Sequence, residues 1–257
     1  PSELMNLALP MMVAWLMARG PLPVSLGRAA LALLVIALPV GLIGAQPDLG
    51  TAVLVAAAGA SVLFLGGISW RLMALMAVLV SAAAPLLWFF GMQDYQRQRV
   101  LTFLDPERDP LGAGYNIIQS QIAIGSGGVN GKGWLNGTQA HLEFIPERHT
   151  DFVFAVMAEE FGLLGVVLIL AVYLAIIARG LWIAQEAQDN FSRLLAGGLA
   201  LTFFVYTFVN MGMVAGLLPV VGLPLPLISY GGSSIVTLMA GFGILMSIHS
   251  HRRMWSA

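Results

Sequence analysis

Between positions 194 and 248 the chain carries no Asp, Glu, Lys or Arg. Such a run cannot form the surface of a soluble domain, whose water-facing positions are largely charged or polar. Of the 257 residues, 58% are hydrophobic and only 10% charged, against roughly 25% charged in an ordinary soluble domain. Lipid, not water, is the solvent for most of this chain. A helix needs about 20 mostly apolar residues to cross a bilayer, and seven stretches qualify, at roughly 3–18, 29–46, 50–68, 72–92, 151–178, 194–218 and 233–250. Nothing alternates like a barrel strand, and an open sheet edge is unsatisfied in lipid. The expectation is an all-α, polytopic transmembrane bundle forming one domain over 1–257. Pro10, Pro39 and Pro85 fall inside these segments and predict kinks. The net charge of −1 gives nucleic acid no electrostatic purchase. With no cysteine, disulfides, thiolate metal sites and cysteine nucleophiles are excluded. Pro1-Ser2-Glu3 has no initiator methionine and no basic n-region, so the sequence reads as starting within a longer protein, without a signal peptide.

Basic residues set the orientation. Arg19 and Arg28, Arg71, Arg179 and Arg193, and Arg252 with Arg253 fall on alternate ends of the segments, which makes those ends cytoplasmic. The start of the chain, the Gln46-Pro47-Asp48 turn, the loop 93–150 and the loop 219–232 then face outward. All of the 13 acids except Glu186 and Asp189 lie on that outer side or in the outer half of a helix, which predicts an outward polar site. The loop 93–150 is longer than a simple connection, and such loops are usually functional or disordered. Tyr95, Tyr115 and Trp134 argue for order. Within it 115–124 is amphipathic, and Ile117, Ile118, Ile122 and Ala123 are expected to lie on the membrane surface. Asp105-Pro106-Glu107-Arg108-Asp109-Pro110 predicts a polar turn. Gly125-Ser126-Gly127-Gly128 and Gly131-Lys132-Gly133 lack the strand and helix that a phosphate loop requires.

The chemistry concentrates where Pro146-Glu147-Arg148-His149-Thr150-Asp151 runs into an apolar helix. On a continuous helix Asp151, Ala155, Ala158, Gly162 and Gly165 share one line. That small-residue stripe serves close helix packing or walls a groove for a lipid tail, and Asp151 itself is either a helix cap or a reactive carboxylate. Glu159 and Glu160 lie about 12–14 Å deeper and point about 80° and 180° away from Asp151. Intramembrane carboxylates are functional candidates by default, but this offset makes the pair structural or relay groups. Glu3 stands at the outer end of the first segment, as a cap or a site residue. Arg97, Arg99, Arg148 and Lys132 are the outer cations. Any one of them alone is an ordinary solvated side chain. Together with Asp151 they match what sugar transfer from a diphosphate carrier requires, a base for the attacking hydroxyl and positive charge for the leaving group.

Five runs in order resemble the shape, elongation, division and sporulation (SEDS) family. They are Gln46-Pro47-Asp48-Leu49-Gly50-Thr51; Gln119-Ser120 with Ala123-Ile124-Gly125-Ser126-Gly127-Gly128; Pro146-Glu147-Arg148-His149-Thr150-Asp151-Phe152; Glu159-Glu160-Phe161-Gly162; and Pro224-Leu225-Pro226-Leu227-Ile228-Ser229-Tyr230-Gly231-Gly232-Ser233. Asp94-Tyr95-Gln96-Arg97-Gln98-Arg99 and Asp105-Pro106-Glu107 are similar to the elongation-type branch. The resemblance implies a peptidoglycan glycosyltransferase that polymerises lipid II, the undecaprenyl-diphosphate-linked disaccharide pentapeptide, at the periplasmic face of the bacterial inner membrane. It implies a class B penicillin-binding protein transpeptidase and other elongation-complex membrane proteins as partners. Asp151 matches the family's catalytic aspartate, and the matched motifs place His149, Ser229 and Tyr230 beside Glu3 and the outer cations among the substrate-binding candidates. The diphosphate is balanced by those cations or by a divalent metal such as magnesium or manganese. Members usually have about ten helices of bilayer length, so about three N-terminal ones are expected to be missing here. They also usually carry a lysine where this chain has Asn6.

Two rival readings remain at this stage. A flippase or transporter of a lipid-linked precursor needs a midplane site reachable from both sides, whereas the polarity here gathers at the outer end. A non-catalytic scaffold for a cell-wall synthase would leave Asp151 dispensable.

Overall fold

The computed structural model describes residues 2–46, 48–106, 113–142, 144–145 and 147–251. Pro47, most of the 105–110 turn, Pro146, Arg252 and Arg253 lie outside them. The described residues form helices and no strand: α1 (Ser2–Ala18), α2 (Leu26–Gly44), α3 (Leu49–Leu65), α4 (Trp70–Leu86), a π-helical turn (Leu87–Gly91), α5 (Asp94–Leu104), α6 (Ala113–Ser126), α7 (Thr138–His141), α8 (Val153–Glu186), α9 (Asn190–Val214) and α10 (Gly232–Ser250). Among them α2, α8, α9 and α10 are long and apolar enough to cross a membrane. At 17 residues each, α1, α3 and α4 sit at the lower limit for a span. Pro10, Pro39 and Pro85 are inside helices as expected.

The chain divides into two compact units, one of residues 1–68, 170–208 and 226–257, the other of 69–169 and 209–225. In the first, α1, α2 and α3 pack on one another around Leu9, Val13, Met17, Ile36, Val55 and Val62, joined by Leu194, Leu195 and Leu245. Gly59 allows the Ile36 side chain to approach α3, since a Cβ there would stand 2.6 Å from it. Asp48 caps α3 by accepting from the Thr51 N–H at 3.0 Å, which satisfies one of the helix's unpaired donors.

In the second unit α5 opens with a reciprocal capping box between Gln93 and Gln96. Helix α6 departs from expectation. Ile117 and Ala123 are buried in the unit instead of lying on a membrane surface, while Ile122 stays exposed. The reason is packing against the end of α9: the buried Ser120 hydroxyl contacts the Val214 carbonyl oxygen at 2.9 Å.

The small-residue stripe of α8 also has a different use from either one expected. Gly162 has φ +63° and breaks the helix, so angular counting from Asp151 fails beyond it. The loop 127–133 is spliced into the break. Lys132 and Gly133 donate their N–H groups to the Glu159 and Glu160 carbonyls, and Leu163 and Leu164 donate to the Gly128 and Val129 carbonyls, all at 2.9–3.1 Å. Two carbonyls and two N–H groups of α8 at the break are thereby paired with the loop, as buried backbone groups require. The two chains meet backbone to backbone: a Cβ at Gly127, Gly131 or Gly162 would collide with Ala158, Glu160 or Gly131 main-chain atoms respectively.

Candidate active site

Asp151 lies in a tight turn just ahead of α8, which begins at Val153, and not within the spanning helix as the apolar run 151–178 suggested. The turn closes through Thr150 and Phe152, whose N–H groups both donate to the Glu147 carbonyl at 3.1 and 3.2 Å. Phe152 is 0% exposed and anchors it. Asn210, also 0% exposed, fixes the position of the turn: its amide donates to the Asp151 carbonyl at 2.9 Å and to the Leu223 carbonyl at 2.6 Å. Residues 147–151 and the loop around Gly222 are thus stapled together by a single side chain. A Cβ on Gly222 (φ +74°) would come within 3.6 Å of the Asp151 carboxylate, so glycine there leaves the carboxylate face uncovered.

This environment raises the Asp151 pKa to about 6. Burial is the main cause, with further upward contributions from the negative charge of Glu147 and a hydrogen bond shared with it; Arg99 opposes them. A carboxyl group poised near neutrality and partly open is suited to accept a proton.

Of the sequence-predicted cations, Arg99 acts on Asp151 through its charge. Arg148 donates from Nε to His149 Nε2 at 3.1 Å, in the same turn as Asp151. Arg97 turns back to the end of the π-helical turn, donating to the Trp88 and Phe89 carbonyls at 2.9 and 3.1 Å, and it pairs loosely with Asp94 at 3.7 Å. Lys132 is committed elsewhere. Its ammonium lies 2.7 Å from Glu159 and 2.8 Å from the Thr138 hydroxyl. Glu159 is 0% exposed and its carboxylate is saturated by Lys132, the Thr138 hydroxyl at 2.9 Å and the Gln139 N–H at 3.2 Å. It is the hub that ties loop 127–133 and α7 to α8. Glu160 is half-buried beside it. Glu3, Ser229 and Tyr230 belong to the other unit. There Glu3 accepts from Tyr206 at 2.9 Å, Ser229 is buried and Tyr230 is 82% exposed.

Sequence reasoning missed Asn210 and Gly222. Asn210 was visible as an amide inside a charge-free run, but its partners, 59 and 13 residues away, were not.

A multi-pass helical membrane protein with a poised carboxylate just ahead of a spanning helix is the class this fold and site define. The profile of the FtsW/RodA/SpoVE family, described as cell cycle proteins, matches residues 1–254. Peptidoglycan glycosyltransferase MrdB of Escherichia coli K12 is 63% identical over 256 residues, covering 100% of this chain and 69% of that protein. Peptidoglycan glycosyltransferase RodA of Treponema pallidum is 44% identical over 183 residues, 71% of this chain and 42% of that protein. Among solved structures, a chain of a peptidoglycan synthase complex that coordinates polymerization and crosslinking superposes with TM-score 0.84 at 36% identity, covering 99% of this chain and 71% of that one. The rod shape determining protein RodA of Thermus thermophilus gives 0.68 at 31% identity, covering 99% and 67%. The chain belongs to the SEDS family.

Proposed function

We propose that this chain is the membrane-embedded catalytic part of a peptidoglycan glycosyltransferase of the elongation branch, polymerising lipid II during cell-wall growth, with Asp151 as its general base. Kinship with the E. coli and T. pallidum glycosyltransferases supports the activity. The observation that carries the residue assignment is the Asp151 turn: a carboxylate with pKa raised to about 6, held through its own carbonyl by Asn210 and left uncovered by Gly222.

Asp151 takes the proton from the acceptor sugar's 4-hydroxyl as that oxygen attacks the donor's anomeric carbon. The new carbon–oxygen bond forms on the face opposite the diphosphate, and the lipid diphosphate departs with the electron pair of the bond it loses. The anomeric centre inverts to a β-1,4 link. Arg99 and Arg148, with His149, supply positive charge and donors near the turn for the departing diphosphate. Among the described residues no three of His, Cys, Asp and Glu converge on one point. A magnesium or manganese ion, commonly held by one or two carboxylates plus phosphates, would be held by the Asp151 and Glu147 carboxylates and would supply positive charge for the departing diphosphate.

The site faces the periplasm of a bacterial inner membrane on the positive-inside argument. The class B penicillin-binding protein that cross-links the product is the partner this reading requires, in keeping with the synthase complex to which the fold is similar. Against the transporter reading, Glu159 is paired with Lys132 and closed off, which removes it as a proton relay. The decisive experiment is polymerisation of purified lipid II by the full-length protein with its transpeptidase, wild type beside Asp151→Asn. Polymer formed by the variant at the wild-type rate removes the base assignment, whereas a wild type that makes none supports the scaffold reading.

A further inference from the structure

Residues of α1, α9 and α10 line a cavity of ≈ 40 Å³ within the first unit, room for a few waters. Its walls are mostly apolar, with Leu7, Leu199, Phe203 and Phe242 among them. Its polar end is built by Glu3, Asn6 and Tyr206, with three hydroxyl residues alongside, and the inventory of hydrogens there is one-sided.

The Asn6 amide has two hydrogens. One goes to a Glu3 oxygen at 3.3 Å and the other to the Tyr206 oxygen at 2.9 Å. Tyr206 gives its own hydrogen to the same Glu3 oxygen at 2.9 Å. The Thr202 and Thr237 hydroxyls donate to the Gly198 and Ser233 carbonyls. Only Ser234 keeps a hydroxyl that can turn either way. What is left consists of acceptors. Asn6 is 5% exposed, and its Oδ1 is buried with no partner. The second Glu3 oxygen accepts no hydrogen bond from the described residues. Flipping the Asn6 amide would set its oxygen against the Glu3 carboxylate and strand both N–H donors, so the orientation is fixed by chemistry.

A buried amide oxygen without a donor is costly, and the half-buried Glu3 carboxylate sets a negative charge beside it that two donors on one oxygen offset only in part. Both are relieved by a cation. We infer that this cavity is a binding site for one small monovalent metal ion, sodium or potassium, held by Glu3, the Asn6 Oδ1 and neighbouring hydroxyl oxygens. Uncharged oxygens around one carboxylate are the donor set of a hard cation. A single positive charge balances Glu3, whereas a divalent ion would leave an excess charge among Leu and Phe side chains. The cavity is too small for an alkylammonium chain. Glu3 and Asn6, three residues apart on α1, present their oxygens on one helix face.

The test uses the full-length protein in detergent and reads its unfolding midpoint in sodium, potassium and N-methylglucamine chlorides at one ionic strength. At ten times the dissociation constant sodium or potassium is expected to raise the midpoint by on the order of 2–5 °C over N-methylglucamine. Glu3→Gln removes the rise. Asn6→Lys, which supplies an ammonium in place of the ion, folds stably and also removes it. A midpoint indifferent to the cation in the wild type overturns the proposal, as does a rise of equal size in Asn6→Lys. Because nothing here reads polymerisation, the result stands apart from the role of Asp151.

Discussion

Asp151 and Glu159 lie eight residues apart, on either side of the start of α8, and their surroundings are opposites. Glu159 is fully buried and saturated: an ammonium, a hydroxyl and a backbone N–H converge on it. Asp151 is partly exposed, held in place by its main chain through Asn210, and its carboxylate is met by another carboxylate, that of Glu147. Depth alone therefore does not separate the two acids by role. Glu159, whose bonding capacity is used up, ties the scaffold together, whereas the Asp151 carboxylate shares a hydrogen bond with Glu147 and stays partly open, the setting in which perturbed groups serve chemistry.

The sharpest way to break this contrast is to neutralise each acid in turn. Asp151→Asn is expected to lower lipid II polymerisation by about 10²–10⁴-fold with the unfolding midpoint nearly unchanged. A variant that unfolds instead would make Asp151 a structural residue like Glu159. Removing the cation that satisfies Glu159 has the converse signature. Lys132→Ala leaves a buried charge unpaired and is expected to cost about 3–5 kcal/mol, read by denaturant unfolding of the full-length protein. The double variant Lys132→Ala with Glu159→Gln should cost less than the sum of the two single changes; strict additivity would mean that the pair is not coupled.

Gly162→Ala tests the splice on which the hub depends. A Cβ forced into φ +63° against the Gly131 backbone should destabilise by roughly 2 kcal/mol or more, and wild-type stability would contradict the seam. The smallest effect concerns proton affinity. Only ionised Asp151 accepts a proton, so kcat/KM is expected to rise with pH through about 6. Glu147→Gln removes an influence that holds the proton on and should move this limb to lower pH. Arg99→Ala removes the opposing charge and should move it higher, each by less than about one pH unit. Shifts in the same direction would discard this account of the turn.

The spans were legible because hydropathy over some twenty residues is a local property that the bilayer itself demands. Asp151 was legible as the last polar residue before such a run. Lys132 was read as a candidate for the diphosphate because nothing local tells that it folds back onto a residue 27 positions later. The same blindness applied to α8: counting at 100° per residue presumes an unbroken helix, and Gly162 is indistinguishable in sequence from a glycine that merely packs. The inward turn of Ile117 and Ala123 escaped for a related reason. An amphipathic pattern reports that one face is apolar, not whether lipid or protein covers it.

The break at Gly162 also divides labour along one helix. The piece that follows it, 163–186, is about 36 Å long at 1.5 Å per residue, more than the roughly 30 Å of hydrocarbon in a typical bilayer. The spliced loop grips both sides of the break, the Glu159 and Glu160 carbonyls before it and the Leu163 and Leu164 N–H groups after it, so a mismatch in membrane thickness meets main-chain hydrogen bonds at the break before it reaches the turn at 147–151.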